Sequence, residues 1–177
     1  MWTDETFGGM AEMRAGTMTF SPELEAKFAE LITHYPEGRQ KGALIPMLLF
    51  AQDEAGSVTP EIVAEVACRL GIKQVEVEEV IGYYTMLWRH KRGKYHVQVC
   101  TNLSCMLLGG EELYAHVSKR LGIGHRETTA DGQFSLEETE CLGACSWAPA
   151  VLINYDFHMN MTPEKLDRLI DSLNARQ

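Results

Sequence analysis

The sequence predicts an α+β protein, a helical bundle followed by an α/β domain. Apolar residues recur at helical spacing from Ser21 to about His90. At Lys91-Arg92-Gly93-Lys94 the character changes, and Tyr95, Val97 and Val99 then alternate with His96 and Gln98. Cap and stop residues punctuate both halves. The expected organisation is a flexible tail over residues 1–18, a helical domain over 19–92 and an α/β domain over 93–177.

The first helix places Leu24, Phe28, Leu31, Ile32 and Tyr35 on one stripe. A second runs to about Glu54 with Leu44, Ile45, Leu48 and Leu49 inside, and Gly56 ends it. Its Pro46 must lie in the first turn, since a proline deeper in would cost ~3 kcal/mol. A third buries Ile62, Val63, Val66 and Leu70 and stops at Gly71. A fourth is expected from about Val75 to Leu87, chosen over a strand because Val77, Val80, Ile81 and Tyr84 keep helical spacing. Ser21-Pro22-Glu23, Thr59-Pro60-Glu61 and Thr162-Pro163-Glu164 each open a helix. The hydroxyl caps an amide, proline suits the first turn, and the glutamate complements the positive helix end.

In the second half, a strand ends at Cys100 and a helix spans about Gly110 to Leu121. Residues 127–140 read as a hairpin around Asp131-Gly132. Val151-Leu152-Ile153 reads as a buried strand, and a last helix buries Leu166, Leu169, Ile170 and Leu173.

Composition excludes several functions. With 177 residues and 45% apolar content, the chain has enough to bury a core. Its net charge of −9 argues against nucleic acid and against anionic membranes as partners. The longest apolar run, Ala43 to Ala51, is far short of the roughly 20 residues a spanning helix needs. No basic start with an apolar core marks a signal peptide, so a soluble cytoplasmic protein is expected. No Gly-x-Gly-x-x-Gly fingerprint or phosphate loop is present.

The five cysteines carry the chemistry. An odd count argues against a disulfide framework. Four residues separate Cys100 from Cys105, three separate Cys141 from Cys145, and each pair is expected in a loop after a strand. Loops at the carboxyl ends of strands in an α/β sheet converge on one edge, where four thiolates can share one centre. The spacings admit a [2Fe–2S] cluster or a structural zinc. A thioredoxin-type dithiol normally has two intervening residues, which neither pair has. A four-thiolate [2Fe–2S] centre carries about −2, rising to −3 on reduction, and needs backbone N–H donors around it. The short segments Thr101–Ser104 and Leu142–Ala144, with Gly143, can supply them.

Cys100-Thr-Asn-Leu-Ser-Cys105-Met-Leu-Leu-Gly-Gly-Glu111 and Glu140-Cys-Leu-Gly-Ala-Cys145-Ser-Trp-Ala-Pro-Ala150 resemble the two cluster loops of a known family. That family is the thioredoxin-like [2Fe–2S] subunit of NADH:quinone oxidoreductase, respiratory complex I. Ala43-Leu-Ile-Pro46 and Val80-Ile-Gly-Tyr-Tyr-Thr-Met86 are similar to its helical part, and the resemblance covers about residues 19–175. It implies a helical bundle followed by a thioredoxin-like domain, with Cys100, Cys105, Cys141 and Cys145 as the four ligands. It also implies one-electron exchange between a [2Fe–2S] cluster and the flavin of a partner subunit. FMN and NADH would sit on that partner, so this chain alone would hold no complete active site. Further peripheral-arm subunits would hold the assembly at the inner face of the cell membrane without direct insertion. NAD-dependent hydrogenases and formate dehydrogenases use similar subunits.

Other residues carry weaker expectations. Cys68 faces the polar side of its helix, and His96 lies on the cluster strand where it could tune the site. Glu111, Glu112, Glu138 and Glu140 would disfavour an added electron. Trp147 is expected as a core or interface anchor. The thioredoxin-like resemblance implies a cis bond before Pro149.

Overall fold

The computed structural model describes residues 18–175, so the expected tail lies outside the described residues except for Met18. The chain divides into two compact units at Lys91/Arg92.

The first unit holds helices α1 (Pro22–Thr33), α2 (Leu44–Ala55), α3 (Pro60–Leu70) and α4 (Gln74–Tyr83). Ser21 Oγ accepts from the Leu24 amide at 3.3 Å, and Thr59 Oγ1 from the Ile62 amide at 3.4 Å, as the punctuation predicts. Pro46 is the third residue of α2, and Gly56 and Gly71 end α2 and α3 in the left-handed region. Leu24, Phe28, Met47, Leu48, Ile62, Val66 and Val77 share one core, each side chain contributing about 1.5–3 kcal/mol on burial. Arg69 of α3 ties α1 to this core through Glu25, at 2.6 and 2.8 Å, and holds Glu65 at 2.7 Å.

α4 stops four residues short of the expected Leu87. The buried amide of Gln52 explains this. Its Oε1 accepts from the Trp88 N–H at 2.6 Å, and its Nε2 donates to the Met86 carbonyl at 3.0 Å. A helix through Leu87 would take the Trp88 N–H into its own last turn and leave the Gln52 oxygen without that donor. Tyr83 and Tyr84 stack edge to face, while Trp88 is buried.

In the second unit β1 (Tyr95–Cys100) is followed by α5 (Leu103–Leu107) and α6 (Gly110–Leu121). Then come β2 (Glu127–Thr128), β3 (Phe134–Thr139), β4 (Val151–Ile153), β5 (Asp156–His158) and α7 (Pro163–Asn174). The sheet order is β2-β3-β1-β4-β5, with β1 parallel to β3 and the other neighbours antiparallel. Val97, Val99, Leu136, Val151 and Ile153 pack with Leu113 and Val117 of α6 and Leu166 and Ile170 of α7. Thr162 Oγ1 caps α7 at the Lys165 amide, 3.4 Å away.

Among the strands and α-helices, two lie outside the sequence reading. β5 follows a turn in which Asn154 takes a positive φ of 54°. Asn154 Oδ1 accepts from the His96 amide at 2.8 Å, and its Nδ2 donates to the Lys94 carbonyl at 3.1 Å. α5 occupies what was expected to be a loop, so Cys105 stands on a helix. The Ala148–Pro149 bond is cis.

Candidate metal centre

The parallel pairing of β1 and β3 sets the site. Cys100, the last residue of β1, lies opposite Thr139, the last of β3, two positions before Cys141. The Thr101 amide donates to the Thr139 carbonyl at 3.2 Å and carries the pairing one step past the strand. Both cysteine segments therefore leave the same sheet edge, as the strand-end argument requires.

Asn102 starts α5 by accepting from the Leu103 amide at 2.7 Å, and this short helix turns Cys105 inward. Cys100 and Cys105 are both buried among Ala144, Ala148 and Ala150. Burial pushes the Cys105 thiol up to about 11; the neighbouring Cys100 and Cys145 push the same way, against a backbone hydrogen bond at Ala150. Cys100 Sγ donates to the Glu140 carbonyl at 3.9 Å.

Cys141 and Cys145 are exposed. Cys141 Sγ accepts from the Gly143 amide at 3.3 Å, and Gly143 takes a φ of 72°. This is an N–H donor turned to sulfur, as the loop composition led us to expect. Cys145 opens a single 3-10 turn, Cys145–Trp147, that packs against α5. Trp147 is 53% exposed, so it is not a core anchor.

Gly110 completes the cradle. A Cβ there would lie 2.7 Å from the Cys100 carbonyl oxygen and 2.9 Å from that of Cys105. Only glycine lets the first turn of α6 come this close. The positive end of α6 is thereby set against the Cys100–Cys105 segment, where it favours negative charge. The Gly109-Gly110 pair stands in the sequence motif, and a glycine pair beside a cysteine is the signal for this close approach.

Among the described residues no three His, Cys, Asp or Glu side chains are grouped so as to hold one ion. A [2Fe–2S] cluster asks for two thiolates at each of two irons, not for three on one point. Four sulfur donors, a small-residue wall, an inward amide and a cradle that a Cβ would fill suit such a group.

His96 sits on the sheet face opposite Val97 and is buried. Its Nδ1 lies 2.9 Å from Ser135 Oγ and its Nε2 3.2 Å from Glu137 Oε2. Gln98 Nε2 donates to the same Glu137 oxygen at 2.9 Å. Burial holds the His96 imidazole below its ordinary value, with Arg92 and Arg126 adding to this against the pull of Glu137. Burial alone would raise Glu137; the His96 hydrogen bond, with Arg126 and Gln98, instead holds its carboxyl below the usual range. A neutral imidazole donating to a carboxylate fits both directions. Glu111, Glu112, Glu138 and Glu140 are exposed, and Cys68 is exposed on α3 away from the other cysteines in sequence.

A helical unit followed by a mixed sheet, with sulfur donors issuing from the ends of two adjacent parallel strands, defines an α+β protein of the ferredoxin class. The chain belongs to the thioredoxin-like [2Fe-2S] ferredoxin family, whose family model matches residues 28–174. It is 41% identical over 160 residues to a subunit of the NADH-quinone oxidoreductase of Rhizobium meliloti, covering 90% of this chain and 92% of that one. It is 36% identical over 159 residues to a subunit of the NADH-quinone oxidoreductase of Thermus thermophilus, covering 89% and 88%. With an NADH-quinone oxidoreductase subunit of Mycobacterium bovis it shares 41% identity over 152 residues, 86% of this chain but only 60% of the relative. The fold recurs in an NAD+-reducing [NiFe]-hydrogenase in the air-oxidized state, with a TM-score of 0.66 and 21% identity. That match covers 76% of this chain and 23% of the hydrogenase chain.

Proposed function

We propose that the chain is a one-electron carrier subunit of the NADH dehydrogenase module of an NADH:quinone oxidoreductase, with Cys100, Cys105, Cys141 and Cys145 holding a [2Fe–2S] cluster. The observation that carries this reading is the β1–β3 register, which brings the two cysteine segments to one sheet edge, with Cys100 and Cys105 buried in one small-residue cluster beside it. The names of the full-length relatives support the assignment to that complex.

When bound, the cluster supplies one-electron chemistry. The chain's own residues bind it and set its surroundings. The four thiols must be deprotonated to act as ligands, so loading the site releases protons, most costly at the buried Cys105. The Gly143 amide and the amino end of α6 offset the negative charge. Ala144, Ala148 and Ala150 exclude water from the inner side. FMN and NADH belong to the partner subunit in this reading, and this chain holds no complete active site. Other peripheral-arm subunits place the assembly at the inner face of the membrane. No helix among the described residues is long and apolar enough to cross a membrane.

Anaerobic stopped-flow with the flavin-bearing subunit tests the function. NADH should bleach the visible absorbance of the cluster-loaded chain only when that subunit is present. Bleaching by NADH alone, or none with the partner, would overturn the reading.

A further inference from the structure

Glu137 is a buried carboxylate to which the function proposed above gives no task. It is 4% exposed, beside His96 at 2% and Ser135 at 0%. Strand alternation places it. His96, Gln98 and Cys100 of β1 share one sheet face, while Val97, Val99 and Leu136 turn to α6 and α7 on the other. The parallel register sets Ser135, Glu137 and Thr139 of β3 opposite His96, Gln98 and Cys100. Side chains bond along this row towards the cysteine. His96 reaches Ser135 and Glu137, and Gln98 Nε2 donates to Glu137 Oε2 at 2.9 Å and to Thr139 Oγ1 at 3.5 Å. Glu137 lies opposite Gln98, two residues before Cys100, so roughly 7 Å of strand separates it from the cysteine.

We infer that the Glu137 carboxylate, fixed behind Cys100, lowers the reduction potential of the cysteine-bound cluster, and does so more than any carboxylate of the exposed rim, Glu111, Glu112, Glu138 or Glu140. This rests on the cluster proposed above. A buried carboxylate is costly unless its oxygens are hydrogen-bonded, and His96 and Gln98 both donate to Glu137. Burial opposes its ionisation, and the His96 hydrogen bond, with Arg126 and Gln98, outweighs that. A neutral His96 leaves the pair with its negative charge. Arg126 is exposed and Arg92 half-buried, so solvent weakens what they return. Reduction adds one electron, supplied by the flavin in the proposed function, and takes a four-thiolate centre from about −2 to −3 with no bond in the chain made or broken. A fixed negative charge behind Cys100 opposes that added electron. The rim glutamates include closer sequence neighbours of the cysteines, but they stand in water, where a charge is screened. Within the sheet the same charge acts through a lower effective dielectric and is felt more strongly. Burial, not nearness in sequence, therefore ranks the carboxylates.

The test is an anaerobic dithionite titration of the full-length, cluster-loaded chain, followed by EPR. Glu137→Gln keeps the shape of the side chain and removes its charge. The expected result is an equilibrium constant for electron uptake raised about tenfold, an upward shift of about 59 mV for one electron, with wild-type absorption and EPR spectra. The shift should persist in about 1 M salt, where the screening length is about 3 Å. Glu140→Gln should shift the potential less, and lose that shift at high salt. Glu137→Asp keeps the charge and should stay close to the wild-type potential. A wild-type potential in Glu137→Gln, a shift that salt abolishes, or an equal shift in Glu137→Asp would overturn the tuning role and leave the cluster and the proposed function standing. Where Glu137→Gln does not load, His96→Gln/Glu137→Gln, in which two amides can pair, carries the same comparison. If both variants fold but hold no cluster, Glu137 serves assembly and the tuning role is overturned. A wild-type chain with no cluster signal would instead overturn the proposed function and the tuning role with it.

Discussion

The two cysteine pairs of the second unit are held in different ways. Cys100 closes a central strand and Cys105 stands in α5, and both are buried against small side chains. Cys141 lies in a loop and Cys145 opens a single 3-10 turn, and both are exposed. The first pair is placed by the sheet and by the close approach of α6. The second is placed by local turn geometry around Gly143. A buried pair fixed by the fold would leave the exposed pair to close on the metal as it binds. Metal binding would then supply the free energy that orders the outer pair.

The largest expected effect comes from breaking the inner pair's cradle. Gly110→Ala forces a methyl to within 2.7 Å of the Cys100 carbonyl oxygen, against backbone that cannot rotate away. Overpacking of this kind costs about 1–3 kcal/mol. Thermal unfolding of the metal-free protein should shift down accordingly, and iron content after reconstitution should fall. Gly143→Ala acts on the outer loop at a positive φ with open space around it. It should cost about 1 kcal/mol and leave the inner pair formed.

Next in size is the difference in thiol reactivity. Cys105 is pushed up to about 11, so at pH 8 roughly one molecule in a thousand carries its thiolate. In the metal-free protein, iodoacetamide should label Cys141 and Cys145 at least tenfold faster than Cys105. The Cys105 rate should climb about tenfold per pH unit up to about pH 11, since only the thiolate reacts. Peptide mass spectrometry of a labelling time course gives the comparison. Equal rates at all four cysteines would remove the distinction between the pairs.

The sheet behind the inner pair carries a pH dependence of its own. The folded-state value of His96 lies below its ordinary value of 6.5, so protonation favours the unfolded chain and stability falls as pH drops below about 6.5. Glu137 is likewise lowered from 4.5; its contribution is present above that value and is lost as pH falls through the folded value. Both act in the same direction on acidification. Urea unfolding at pH 7, 6 and 5 should show a steady loss of stability, and His96→Gln should flatten it between pH 7 and 5. The smallest effect belongs to the rim. Glu140→Gln should raise the reduction potential by at most about 40 mV, since one exposed charge contributes about 1 kcal/mol or less. No rise in a redox titration would remove Glu140 from the tuning of the site.

Much of this architecture was legible because it depends on local chemistry. Three hydroxyl-Pro-Glu starts and two glycine stops mark helix ends that the structure reproduces. The alternation from Tyr95 to Val99 gives β1, and the apolar stripe from Leu113 to Leu121 gives α6. What escaped depends on distant partners. α4 ends early because Gln52, more than thirty residues upstream, takes the Met86 and Trp88 backbone groups. β5 exists because Asn154 can turn at positive φ and pair its side chain with β1. α5 is five residues long, too short to announce itself by periodicity, and is held by its Asn102 cap and the burial of Cys105. At the site, the strand-end argument gave the common sheet edge of the two cysteine segments, while the four-ligand set came from the resemblance alone. The division into a buried and an exposed pair follows from packing that no spacing encodes, and the need for glycine at 110 shows in the sequence only as the Gly109-Gly110 pair. For Trp147 the sequence left core and interface anchor open, since an aromatic residue suits both, and its exposure removes the core.

The most direct test is iron and sulfide analysis of the anaerobically purified chain with EPR before and after dithionite, beside Cys105→Ser and Cys141→Ser. The expected result is two irons and two sulfides per chain with an S = 1/2 signal on reduction, and loss or marked change of that signal in both variants. A colourless protein holding one zinc, or a cluster signal indifferent to both substitutions, would contradict it.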